Sequence, residues 1–168
     1  MGCSCSYAPE LEDGCKFESI RFKVLITGLK KVGKTSVLQS AWWDNPEKIQ
    51  TNSCLCYSKK VNIRGNPALI DIWDSALVAS TYFVDMNVLI LVVDLSNENS
   101  LKVDVEKVKT FSNNVIVAGN KFDVSEGEVF RNAKLLAKQL SGFFVPISVN
   151  NGFGVKDLWE LVIYLISS

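Results

Sequence analysis

Histidine is absent from this 168-residue chain. That absence removes imidazole metal ligands, Ser-His and Cys-His nucleophile pairs, and any histidine pH switch. Net charge is absent too: Lys plus Arg and Asp plus Glu each total 18. The balance gives no electrostatic case for a nucleic-acid or acidic partner. No stretch reaches the roughly 20 consecutive apolar residues that span a bilayer as a helix. The five cysteines, Cys3, Cys5, Cys15, Cys54 and Cys56, are odd in number. The first residues lack the basic stretch and apolar run of a secretory signal, so a reducing compartment is expected rather than a disulfide framework. The Cys-x-Cys steps also lack the spacing of a zinc site.

What the chain does contain is a hydrophobic fraction of 48% with 21% charged residues, which suits one globular domain with a real core. Short apolar runs predict strands at Phe22–Thr27, Ala68–Trp73, Val88–Val93, Val115–Ala118 and Phe143–Ile147. Val61–Ile63 is a hairpin partner for Ala68–Trp73 through Arg64-Gly65-Asn66-Pro67. Helical patterns fall at Lys34–Trp43, after Ser125, and from about Val155 to Ile166. The segment after Ser125 has the form of a capping box closed by Glu128, with an apolar face of Val129, Ala133, Leu136, Ala137 and Leu140 and a stop at Gly142. Strands buried on both sides and alternating with helices imply an α/β fold: a doubly wound, mostly parallel sheet with helices on both faces. Residues 1–20 read as a separate flexible segment and residues 21–168 as a single domain.

Gly28-Leu-Lys-Lys-Val-Gly33-Lys34-Thr35 stands between the first strand and a helix, the context a P-loop requires. Glycines let backbone N–H groups turn inward around phosphates, and the helix N-terminus adds partial positive charge. Gly28, Lys31, Val32, Gly33, Lys34, Thr35 and Ser36 are the candidate phosphate-site residues. Lys34 is placed to reach the β and γ phosphates, and the Thr35 hydroxyl to bind magnesium. Asn120-Lys121-Phe122-Asp123 directly follows the strand at Val115, where a ligand crevice belongs. The Asp123 carboxylate can accept from N1–H and the 2-amino group of guanine. Adenine has neither donor and would leave that carboxylate unpaired, so an ATP-using enzyme is disfavoured.

These motifs resemble the small GTPase superfamily over about residues 21–168. The resemblance implies that Asn120 ties the base loop to the P-loop and that the Lys121 stem covers the base. It implies base contacts from Ser148 and Val149, in Ser148-Val149-Asn150, where only the serine matches the family's Ser-Ala-Lys loop. Asp74 corresponds to the aspartate that holds magnesium through water, and the cofactors implied are GTP or GDP with Mg2+. The family's next residues contain a glycine that senses the γ phosphate and a glutamine that orients water; here they are Leu77 and Val78. Thr51 is the candidate first-switch threonine and a further magnesium ligand, with an exposed loop threonine as the competing reading. Lys30 either lies near the γ phosphate or points into solvent.

Met1-Gly2-Cys3-Ser4-Cys5-Ser6 matches the N-myristoylation pattern, with Gly2 as acceptor. One acyl chain holds only marginally, so a second signal is needed. Glu10, Glu12, Asp13 and Glu18 outnumber Lys16 nearby, which leaves palmitoylation of Cys3 and Cys5. An ordinary start with a chance Gly2 and Ser6 is the alternative. Gly28-Leu29, Trp73-Asp74 and Tyr82-Phe83 look like Arf-like proteins, whereas Asp94 to Leu101 and Asn-Lys-Phe-Asp look like Ras and Rab proteins. The expectation is a monomeric, membrane-anchored GTP-binding protein on the cytoplasmic face. It would act as a switch with weak intrinsic hydrolysis and meet effector and exchange-factor proteins but no nucleic acid. The alternative is a nucleotide-binding interaction module without meaningful hydrolysis.

Overall fold

The apolar runs of the sequence become strands. The computed structural model describes residues 20–40, 47–50, 55–75 and 86–168. The strands are β1 (Ile20–Thr27), β2 (Glu47–Gln50), β3 (Leu55–Ile63), β4 (Asn66–Asp74), β5 (Val88–Asp94), β6 (Val115–Asn120) and β7 (Phe143–Pro146). They form one seven-stranded sheet in the order β2-β3-β4-β1-β5-β6-β7. Pairings β1–β4, β1–β5, β5–β6 and β6–β7 are parallel, while β2–β3 and β3–β4 are antiparallel. This is the mostly parallel sheet that the pattern predicted.

The helices are α1 (Lys34–Ser40), α2 (Val105–Lys109), α3 (Gly127–Gln139) and α4 (Val155–Ser167), with 3-10 turns at Glu98–Leu101 and Phe122–Val124. All seven residues of β5 are buried, and the six apolar ones alternate between two cores. Val88, Ile90 and Val92 face a cluster with Val37 and Leu38 of α1 and Leu158, Trp159 and Val162 of α4. Leu89, Leu91 and Val93 face a second cluster with Val108 of α2 and Ala133, Leu136 and Ala137 of α3. Helices therefore cover both faces, which is why the central strands are continuously apolar rather than alternating. Each fully buried side chain of this size contributes roughly 1.5–3 kcal/mol.

Two local expectations shift. The hairpin turns in two residues, Arg64-Gly65, so Asn66 and Pro67 belong to β4 and pair with Ile63 and Asn62. The Ser125 capping box does not form: Glu126 is the N-cap, without a side-chain cap bond. The chain there is held instead by backbone bonds, from Ser125 N–H to the Phe122 carbonyl and from Glu126 N–H to the Leu95 carbonyl. The predicted face of α3, Val129 to Leu140, is buried as expected. The first helix is described only to Ser40. Gly2, Cys3, Cys5, Thr51, Leu77, Val78 and Tyr82-Phe83 lie outside the described residues.

Candidate functional site: a phosphate loop and a base pocket

The carboxyl ends of the parallel strands carry the polar residues. β1 delivers Gly28, β4 ends at Asp74, β5 at Asp94 and β6 at Asn120. The loop after β1 is shaped by backbone: Gly28 has φ +144, Lys31 φ 67 and Gly33 φ +97. A Cβ at Gly28 would sit 2.3 Å from the Val92 carbonyl oxygen, and one at Gly33 would sit 2.4 Å from Asn120 Nδ2. Both positions therefore require glycine for space as well as for conformation. The first helical bond of α1, Val37 N–H to the Gly33 carbonyl at 2.9 Å, begins right at the loop's end. Amide N–H groups of the first turn are thereby left facing the loop.

Lys34 arches over this loop. Its Nζ donates to the carbonyls of Gly28 at 3.1 Å and Leu29 at 2.9 Å. Burial lowers its pKa from the ordinary lysine value, and the Asp74 carboxylate pulls it back up. Thr35 Oγ1 donates to Asp74 Oδ2 at 3.1 Å. A hydroxyl beside a carboxylate is a pair of hard oxygen donors, the chemistry Mg2+ selects. The Asp74 charge also reaches Tyr57, whose hydroxyl pKa is raised by burial and then by that carboxylate. Lys30, Thr35 and Ser36 are exposed at the rim, and Val32 is buried beneath it.

Asn120 joins the two halves of the site. Its Nδ2 donates to the Val32 carbonyl at 2.9 Å, and its Oδ1 accepts from Val149 N–H at 3.3 Å. Lys121 takes a left-handed backbone, φ 62, and its ammonium is paired with Asp94. Asp123 is exposed and held at both oxygens: Oδ1 accepts from Ser148 Oγ at 2.6 Å and Oδ2 from Asn150 Nδ2 at 3.5 Å. The Ser148 hydrogen bond is the main reason its carboxyl lies below the ordinary range, with Asn150 adding to it.

Sequence reasoning did not single out Asp94, Asn150, Phe153 or Tyr57 as site residues. Asp94 is the parallel neighbour of Asn120, and its side chain is 7% exposed. Its carboxylate accepts from Lys121 and from both the N–H and Oγ of Ser96. Burial opposes its charge, but the Lys121 and Ser96 hydrogen bonds and the lysine's charge win, so its pKa lies below the ordinary value. The signal available was an aspartate ending an otherwise apolar strand next to the one that carries Asn120. Phe153, 49% exposed, stacks on Phe122 with centroids 5.1 Å apart and so closes the loop that contains Ser148.

A glycine-lined loop under a lysine, a Thr–Asp oxygen pair and a hydrogen-bonded carboxylate loop, all at strand carboxyl ends, define a P-loop nucleotide-binding fold. Residues 23–168 match the Ras family. The chain is also 30% identical over 158 residues to Ras-related protein Rab-3B of Rattus norvegicus, covering 84% of this chain and 72% of the relative. Ras-related protein Rab-3B of Bos taurus and of Homo sapiens match with the same identity and coverage. The chain belongs to the Ras family of small GTPases. Members of that family bind guanine nucleotides with Mg2+.

Proposed function

We propose that the chain is a membrane-anchored GTP-binding switch with weak intrinsic hydrolysis, active on the cytoplasmic face of a membrane. The observation that carries the nucleotide part is the Asn120 bridge, which fixes the Asp123 loop relative to the phosphate loop. Asp123, oriented by Ser148, reads guanine through its N1–H and 2-amino group. The loop amides and Lys34 hold the β and γ phosphates. Thr35, directly, and Asp74, through water, would hold Mg2+, whose chemistry is to neutralise phosphate charge. The Thr35–Asp74 contact supports that assignment.

Hydrolysis needs a water aligned with the γ phosphate. The Val78 side chain offers no hydrogen-bonding group where relatives carry glutamine, and Leu77 replaces the glycine. The same two residues favour a second reading, an interaction module that binds nucleotide and hardly turns over, while the P-loop favours neither. Gly2, Cys3 and Cys5 supply the acyl chains that hold residues 21–168 at the membrane. Mass spectrometry of the native protein tests both halves of this reading. It is expected to show bound guanine nucleotide, a myristoyl group on Gly2 and palmitate on Cys3 or Cys5. An adenine nucleotide, or an unmodified N-terminus, overturns the corresponding half.

A further inference from the structure

Charge that is balanced over the chain is unevenly placed in the fold. The parallel strands all start at one end of the domain, and the nucleotide residues gather at the other. Segments 20–27 and 55–70 carry Arg21, Lys23, Lys59, Lys60 and Arg64 and no Asp or Glu. Register draws three of these together: Arg21 and Lys60 both neighbour Leu69, and Lys23 neighbours Asp71. Asp71 is buried and already accepts hydrogen bonds from Arg21 and Ser58. Lys23, Lys60 and Arg64 are exposed.

The helices add to the same end. Met86 N–H donates to the Phe111 carbonyl, which places the exit of α2 at the start of β5. The last turn of α2 carries Lys107 and Lys109, and that of α3 carries Lys138. The first turn of α3, towards the nucleotide end, carries Glu128, whereas in the five-residue α2 Glu106 pairs with Lys109 and in α4 Asp157 follows Lys156. Helix dipoles favour this arrangement within helices, but they do not account for the strand and hairpin cations. Three apolar side chains stand exposed at this basic end: Ile20 at 56%, Phe143 at 46% and Tyr164 at 66%. Cations together with exposed aromatic and aliphatic groups at one end of a domain suit the headgroup region of an anionic bilayer.

We infer that the strand-start end of the domain is a second membrane contact, with Lys23, Lys60 and Arg64 engaging anionic lipid headgroups. The inference rests on the reading of an acylated N-terminus, because the described domain begins at Ile20, next in sequence to Arg21 and close to Lys23. It supplies from the fold the basic signal that residues 1–20 lack. It also turns the nucleotide site towards the cytosol, where regulators can reach it.

The test compares the full chain, myristoylated and unacylated, on vesicles of phosphatidylcholine alone and of phosphatidylcholine with roughly a quarter phosphatidylserine. Each engaged cation is expected to tighten binding to the anionic vesicles by about fivefold, and salt should erase the preference. Lys23→Glu with Lys60→Glu and Arg64→Glu should remove the preference and leave the acyl-dependent binding to neutral vesicles intact. Lys60→Gln with Arg64→Gln serves as the milder variant, with the thermal unfolding midpoint as the folding control. Equal binding of wild type to both vesicle types, or a preference that survives these substitutions, overturns the inference. An anionic preference in the unacylated form, with no acyl mass found on the native chain, removes only the lipidation reading.

Discussion

Asn120 Nδ2 donates to the Val32 carbonyl at 2.9 Å across 88 residues of sequence. That bond makes the base loop and the phosphate loop one rigid unit. Asn120→Ala leaves the buried Val32 carbonyl without this donor and frees Val149 N–H, a loss of about 1–3 kcal/mol. GDP affinity measured by calorimetry should fall accordingly, with the sheet intact by circular dichroism. Unchanged affinity would show that the two loops do not depend on the bridge.

Gly33 is coupled to the same bond. A Cβ there meets Asn120 Nδ2 at 2.4 Å, at a φ of +97 that L side chains rarely adopt. Gly33→Ala should therefore weaken GDP binding by displacing Asn120 as well as by straining the backbone, which alone costs about 1–2 kcal/mol. Combined with Asn120→Ala, the two losses should fall short of additive. Full additivity in a double-mutant cycle would refute the coupling.

Asp94 sets an acid limit on stability. Its folded-state pKa lies below the ordinary carboxylate value because the Lys121 and Ser96 hydrogen bonds outweigh burial. A depressed carboxyl contributes stability that is complete above its unfolded pKa and lost as pH falls through the folded one. The loss therefore begins below about pH 4. Asp94→Asn should lower stability at neutral pH and flatten the acid limb of a stability–pH curve. A variant with the same acid limb as wild type would remove Asp94 from that role.

Much of this was legible in sequence because the P-loop and Asn-Lys-Phe-Asp are local patterns, and the strands beside them are continuous apolar runs. β5 needed only its own composition. The missed elements are non-local. The Lys121–Asp94 pair depends on β5 and β6 lying side by side, and the Asn150–Asp123 contact on a loop 27 residues away. The capping box failed because backbone bonds from Ser125 and Glu126 fix the chain before α3, shifting the N-cap by one residue. β2 is four residues long, too short for periodicity to register.

The proposed weak hydrolysis rests on Leu77 and Val78. Intrinsic hydrolysis in related proteins is on the order of 10⁻⁴ s⁻¹. Single-turnover assays of preloaded GTP should give that rate or a lower one, and Leu77→Gly with Val78→Gln should raise it. A wild-type rate about tenfold higher, equivalent to a barrier lower by about 1.4 kcal/mol, would mean that another residue positions the water, with Lys30 and Gln50 the first to mutate.

The central claim is that this fold holds a guanine nucleotide through Asp123, and a competition titration tests it most directly. The full chain with Mg2+ is titrated with fluorescent GDP and then challenged with GTP and ATP, in wild type and Asp123→Ala. GTP is expected to displace the probe while ATP does not, and Asp123→Ala is expected to weaken GDP at least about tenfold, as loss of a charge-assisted hydrogen-bond acceptor requires. Equal displacement by ATP and GTP, or an Asp123→Ala variant that binds GDP like wild type, would contradict it.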